Sequence, residues 1–200
     1  MINVIAPAKI NLFLRICGRN DAGYHLLDSL VAFTEFGDYL TIEPAQKDVL
    51  VLTGDFASAI NNHKKENLVM RALKAFRKRG GEVGPIRIVI KKNIPIGAGL
   101  GGGSSDAAAF LLAINAQSTA PLNQDDLFDI GLKLGADVPV CLARSSQRVA
   151  NIGEVLTPHE LPKIGAVLLV NPRVSLSTKE VFSNFANSRN KYGSGFGGSL

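Results

Sequence analysis

The chain has 200 residues, 46% of them hydrophobic, and a net charge of +5, enough apolar material to bury a core of one domain or one and a half. The positive balance suits an anionic partner, nucleotide or nucleic acid, and does not choose between them. Two distant cysteines among apolar neighbours, Cys17 and Cys141, argue against a disulfide framework or thiolate metal site. No run approaches the roughly 18 apolar residues of a membrane span, and MINVIAPAKINLFLRI shows no basic leader. A soluble, unexported, cytoplasmic protein without a membrane partner is expected.

Strand-like and helix-like segments alternate without repeats. KINLFLRI (9–16) puts Ile10, Leu12, Leu14 and Ile16 on one face and Lys9, Asn11, Phe13 and Arg15 on the other, so one face is expected to pack while the other looks outward. Asn11 points the same way as Lys9, roughly 6.6 Å along the strand, and both can touch one small molecule. Asp21-Ala22-Gly23 predicts a turn that projects Tyr24 and His25. DVLVLTG (48–54) and PIRIVI (85–90) are predicted strands. NLVMRALKAFRKRGG (67–81) between them predicts a helix with Asn67 as cap and a Gly-Gly stop. His63 and His159 have no ligand partners at useful spacing and are expected at the surface.

The most informative stretch is PIGAGLGGGSSDAAAFLLAIN (95–115). Its glycines admit φ > 0 and close approach of a bulky ligand, Ser104, Ser105 and Asp106 offer N-cap chemistry, and AAAFLLAI continues as helix. A glycine loop emptying into a helix N-terminus is an anion site, with phosphate its usual occupant. The plain alternative is a flexible turn capped by serine. GAGLGG (97–102) satisfies G-x-G-x-x-G, but Asp125 and Asp126 open a polar helix and do not end a second strand, as a dinucleotide fold would require. No lysine completes a Walker A loop, and the strand lysine and HRD segment of a protein kinase are absent. Further on, DDLFDIGLKLG (125–135) predicts a short helix, GAVLLV (165–170) a strand, and STKEVFSNFA (177–186) a helix opened by a Ser177/Glu180 capping box. NSRNKYGSGFGGSL lacks periodicity and reads as linker or unfinished structure.

PIGAGLGGGSSDAA resembles the second motif, P-x-x-x-G-L-G-(G)-S-S-x-A-A, of the GHMP kinases, named for galactose, homoserine, mevalonate and phosphomevalonate. APAKINLFLRICGRNDAGYHLLDSL, LGADVPVCL, NIGE and NPRVSLSTKEVF resemble, in the same order, the member that acts in non-mevalonate isoprenoid synthesis, over residues 1 to about 186. The resemblance implies an α+β fold. Residues 1–155 would form the N-terminal nucleotide-binding domain, of ribosomal protein S5 domain 2-like fold, and 156–200 an incomplete C-terminal domain with a flexible tail. Such kinases continue well beyond this length, and their third glycine-rich motif is missing here. The half-built domain is expected to leave apolar faces exposed, and the isolated chain to self-associate and phosphorylate poorly.

The implied activity is ATP-dependent phosphorylation of the 2-hydroxyl of 4-diphosphocytidyl-2-C-methyl-D-erythritol, a small cytidine diphosphate substrate. ATP would lie on Pro95, Ile96, Gly97, Ala98, Gly99, Leu100, Gly101, Gly102, Gly103, Ser104 and Ser105, with Asn67 and Lys92 near adenine. Asp137 would accept the hydroxyl proton and Lys9 orient it and offset developing charge. Cytosine would stack between Tyr24 and Phe182, with His25 reading its edge and Asn11 and Thr178 touching the ligand. Mg2+ is expected with ATP, held mainly by phosphates and water, with no dedicated protein metal site. For Lys9 the bland alternative is a strand-end surface lysine, for Asp137 a helix-to-strand turn, and for Phe182 a core aromatic. Other readings are a GHMP kinase with a different acceptor, or a basic nucleic-acid-binding module of S5-like fold. The module lacks RNA-type aromatic motifs, and no nucleic-acid partner is expected.

Overall fold

The computed structural model describes residues 1–58, 67–162, 164–172, 181 and 183–185. Its strands are β1 (Ile2–Arg19), β2 (His25–Pro44), β3 (Val49–Thr53), β4 (Ile86–Lys91), β5 (Gln147–Asn151) and β6 (Val155–Pro158). Its helices are α1 (Leu68–Lys78), α2 (Gly102–Gln117), α3 (Gln124–Leu134) and α4 (Val138–Ala143). β2 is the spine of one mixed sheet. β1 pairs along one of its edges, while β4 and β5 share the other, and β3 and β6 extend these as outer strands. The one parallel pairing among the described strands, β3 with β4, is bridged by α1 as a crossover of the kind parallel strands require.

The helices cover one face of the sheet. Ile86, Ile88 and Ile90 of β4 alternate inward and meet Val69, Ala72, Leu73 and Phe76 of α1 and Phe110, Leu111 and Ile114 of α2. α2 is buried nearly all round because sheet, α1, α3 and α4 each take a side of it. α1 starts as expected, the Asn67 side chain accepting from Val69 N–H at 2.8 Å, and ends before Gly80, at φ 106°.

Several expectations are corrected. On β1, Leu12 and Leu14 are 40% and 46% exposed while Lys9 is 4% exposed, so the apolar set faces outward and the lysine inward. Register shifts at Pro7/Lys9, Asn11/Phe13 and Ile16/Gly18 repeatedly reset the pleat, which a strict two-residue period cannot anticipate. Ser104, Ser105 and Asp106 are not the cap of α2. Gly101 is, at φ 65°, with no side-chain cap bond. Residues 165–170 form no strand and stand in the open, Leu168 87% and Val170 84% exposed. Residues after Asp137 form α4, making GADVP a helix-to-helix turn. Cys141 is buried, and Cys17 only partly so. Residues 181 and 183–185 are helical, whereas Ser177, Thr178, Glu180, Phe182, His63 and residues 187–200 lie outside the described residues.

Candidate active site

The bulge in β1 organises the glycine loop. With pairing interrupted between Pro7 and Lys9, Lys9 N–H turns to Leu100 O at 2.9 Å, and Pro7 O accepts from Ser105 Oγ at 2.6 Å. One strand irregularity thus ties down both the loop and the first turns of the helix it feeds. Gly97, Gly99 and Gly101 have φ of 67°, 73° and 65°. At Gly101 the requirement is double: the left-handed φ disfavours a side chain, and a Cβ would sit 3.2 Å from the Lys9 side chain. The first helical hydrogen bond runs from Ser105 N–H to Gly101 O, so the N–H groups of Gly102, Gly103 and Ser104 precede the ladder, at the positive end of the helix dipole.

Lys9 is the centre of this end of the molecule. Its ammonium donates to Asn11 Oδ1 at 2.6 Å and lies 3.8 Å from Asp137 Oδ1, an ion-pair distance too long for a hydrogen bond. Asn11 Nδ2 donates to Ser29 Oγ at 2.7 Å, and that hydroxyl donates to Phe13 O at 2.6 Å. Asn11 is therefore held from behind while it aims Lys9. Asp137, half exposed at the turn between α3 and α4, presents its carboxylate outward. Below it, burial first and the Asp137 charge next push the Cys141 thiol up to about 12, leaving it inert. Sequence reasoning paired Lys9 with Asn11 and did not see Ser29.

Lys92 is elsewhere. Its ammonium lies between Asp38 and Asp106, 2.5 Å from Asp106 Oδ2, and the residue is 3% exposed. Burial pulls this lysine toward neutrality, but Asp106 and Asp38 outweigh it and hold its pKa above the ordinary value. Its main chain is engaged too, N–H to Thr53 O and carbonyl from Phe56 N–H. The side chains of Lys92 and Asn67 thus serve the interior and a helix cap. Asp38 and Asp106 were missed as partners because they stand 54 and 14 residues from Lys92 in sequence.

At the opposite end of the β1–β2 hairpin, Asn20 builds the expected turn. Its Oδ1 accepts from Tyr24 N–H and its carbonyl from Gly23 N–H, both at 2.9 Å, leaving Tyr24 62% exposed. His25 opens β2, accepts from Arg19 Nε at 3.2 Å and meets the Phe185 ring edge-on at 6.4 Å between centroids. Partial burial and then the Arg19 charge hold its pKa below the ordinary histidine value. Phe185 is an aromatic neighbour that sequence reasoning did not single out. NIGE is the β5–β6 hairpin turn, closed by Gly153 N–H to Ala150 O.

A left-handed glycine loop opening onto a central helix, with a buried lysine and a half-exposed carboxylate at its side, is an arrangement able to take a phosphate with acid–base groups at hand. Residues 67–145 match the GHMP kinases N terminal domain. A crystal structure of 4-(cytidine 5'-diphospho)-2C-methyl-D-erythritol kinase superposes with a TM-score of 0.69 at 34% identity, over 93% of this chain and 72% of that one. The chain belongs to the GHMP kinase family. Two sequence relatives are the 4-diphosphocytidyl-2-C-methyl-D-erythritol kinases of Brucella abortus biovar 1 (strain 9-941), 45% identical over 94% of this chain, and Paracoccus denitrificans (strain Pd 1222), 46% identical over 92%. The chain spans 64% and 61% of the length of those relatives.

Proposed function

We propose that this chain carries the ATP-binding and catalytic part of a kinase that phosphorylates the 2-hydroxyl of 4-diphosphocytidyl-2-C-methyl-D-erythritol. The observation that carries this reading is the meeting of loop, lysine and carboxylate at one residue: Lys9 bonds the loop through its N–H and faces Asp137 with its ammonium. Phosphoryl transfer asks the protein mainly for position and charge. The ATP phosphates rest on residues 95–105 against the N–H groups that open α2. As the acceptor oxygen bonds the γ-phosphorus and the bridging oxygen leaves with ADP, the hydroxyl proton passes to Asp137, and Lys9 offsets the developing negative charge. Asn11, itself fixed by Ser29, keeps that ammonium in line.

The donor set at the loop, backbone N–H groups and an ammonium, suits phosphate oxygens and not a bare cation. Mg2+ entering with ATP would be held mainly by phosphates and water and would supply positive charge beside the loop. Among the described residues no group of three or more acidic, His or Cys side chains is placed to hold a metal ion. Adenine lies toward the start of α1, beside Asn67, whereas Lys92, enclosed by Asp38 and Asp106, is turned to the interior and does not contact it. Tyr24 and His25 hold the cytosine, and Phe182 and Thr178, which lie outside the described residues, are assigned to it on the motif resemblance alone. Flat strands would put Lys9 and His25 on the order of 30 Å apart, register shifts at Asn11/Phe13 and Ile16/Gly18 lie between them, and the substrate of this proposal is an elongated one. We assign residues 1–155 to the nucleotide-binding domain and 156–200 to the start of a second one, although β6 (Val155–Pro158) still pairs with β5 in the first sheet. No described helix is long and apolar enough to cross a membrane, and we place the protein in the cytoplasm.

The test is ADP release, coupled to a reporter, from this chain and from a version extended to the relatives' length. The cytidine diphosphate substrate is compared with mevalonate, homoserine and galactose. Turnover confined to the cytidine compound is expected. Preference for another acceptor by the extended form overturns the assignment.

A further inference from the structure

The buried charges around Lys92 sit at both ends of the glycine loop. Lys92 follows β4 directly, Asn93 and Ile94 lead into the loop, and Asp106 lies just inside α2 where the loop ends. Asp38 of β2 joins these pieces. Its Oδ1 accepts from Asn93 N–H at 2.5 Å and Ile94 N–H at 2.8 Å, and its Oδ2 takes the Lys92 ammonium, which also bonds Asp106 Oδ2. Asp38, Lys92 and Asp106 are 0%, 3% and 3% exposed, and Asp106 Oδ1 has no hydrogen-bond partner. We propose that Asp38, Lys92 and Asp106 form a clamp fixing the two ends of the phosphate loop to β2, which makes the two aspartates positioning residues for the ATP triphosphate. This rests on the reading of the loop as the ATP site.

Two arguments support the clamp. A loop with three left-handed glycines has much conformational freedom to lose, so phosphate binding is strong only if its N–H groups are already convergent. β1 holds the loop from one side, through Lys9 and Pro7. On the other side Asn93 Nδ2 donates to Gly37 O at 2.8 Å and the buried Ile94 packs against Gly102, and the Lys92–Asp106 bond adds a polar tie between this segment and α2. The second argument is energetic. Burial acts most strongly on Asp106 and outweighs the pull of Lys92, pushing the carboxyl up to about 7. Ionising it costs stability, and apolar residues of similar volume would fill the space at less cost. What they could not do is accept two N–H groups of the loop and bind its far end through one ammonium.

The experiment titrates wild type, Asp106→Ala and Asp106→Asn with Mg-ATP and separately with cytidine 5′-diphosphate by calorimetry, and follows amide hydrogen exchange over residues 93–101. Asp106→Ala is expected to lose at least about tenfold in ATP affinity. Its affinity for the cytidine ligand stays within about twofold, and exchange over 93–101 speeds up. Asp106→Asn, which keeps the volume and one acceptor for Lys92, recovers most of this, with a residual loss of about threefold. ATP affinity equal to wild type in both variants, or parallel loss of both ligands, overturns the clamp. Should the Ala chain not fold, the Asn chain decides alone, and wild-type ATP affinity with wild-type exchange rates overturns it. If the wild-type chain binds no ATP, the reading of the loop itself fails and the clamp with it. Wild-type binding with unaffected variants removes only the clamp.

Discussion

Lys9 and Lys92 are both almost fully buried, at 4% and 3% exposure, on either side of one loop, and they are solvated in opposite ways. Lys92 has two carboxylates against its ammonium, and Lys9 has a neutral amide at 2.6 Å and one half-exposed carboxylate at 3.8 Å. The Lys92 charge is more than answered by the protein. The Lys9 charge is only partly answered, which is the arrangement that the proposed binding of an anionic phosphate beside the glycine loop would complete. Burial alone therefore does not separate a structural lysine from a functional one. The partners do.

Replacing each lysine by methionine is the most direct way to break this contrast. Lys92→Met leaves two buried carboxylates without their cation and is expected to cost about 3 kcal/mol or more of stability at pH 8. Lys9→Met is expected to cost less than about 1 kcal/mol yet abolish most turnover. Urea unfolding of both chains decides it, and equal destabilisation would erase the distinction. Next in size is Asp137→Asn, which keeps the shape beside Lys9 and removes the proton acceptor. Turnover in the extended enzyme should fall by at least about 10²-fold with ATP affinity unchanged, and near-normal turnover would remove Asp137 from its role.

Tyr24→Ala carries the contrast to the far end of the hairpin, where an exposed side chain has little structure to lose. A loss of about 1–3 kcal/mol in cytidine-ligand binding is expected, with ATP affinity and stability unchanged. Calorimetry showing equal losses for both ligands would count against it.

The smallest effect is on pH dependence. The Asp106 pKa is raised in the folded state from 3.8 to about 7, so the folded chain binds that proton more tightly than the unfolded one. Its contribution to stability accordingly falls as pH rises from about 4 to about 7 and is flat above. Asp48 has the opposite sign. Hydrogen bonds from Arg77, above all, lower its pKa, so its contribution is lost only as the pH falls toward and below the ordinary carboxylate range. Wild type should thus lose a few degrees of Tm between pH 5 and 8 relative to Asp106→Asn. Parallel profiles for the two chains would mean that Asp106 is not the group responsible.

Much of the site was legible because its signals are local. The glycine run and the alanine-rich helix after it need only neighbouring residues to specify a left-handed turn and a helix start, and the same holds for the Asn67 cap and the Asp21-Ala22-Gly23 turn. The motif resemblance added Lys9 and Asp137, which no local pattern joins. Which face of β1 packs was misread because each bulge shifts the pleat by one residue, and a bulge is visible only once the partner strand is known. β2 was overlooked although it is the longest described strand, since it owes its length to pairing with β1, β4 and β5 and not to its own pattern.

By its sequence alone this protein determined a left-handed glycine loop, the helix that follows it and the family to which both belong, because backbone conformation near glycine and helix propensity are set within a few residues. Only the tertiary structure decided that Ser105 ties the helix to Pro7, that Lys92 is enclosed by Asp38 and Asp106, and that Lys9 turns inward to face Asp137. Those choices depend on burial and on charges brought together from distant parts of the chain, and the energy of an ion pair is set by surroundings that exist only after folding.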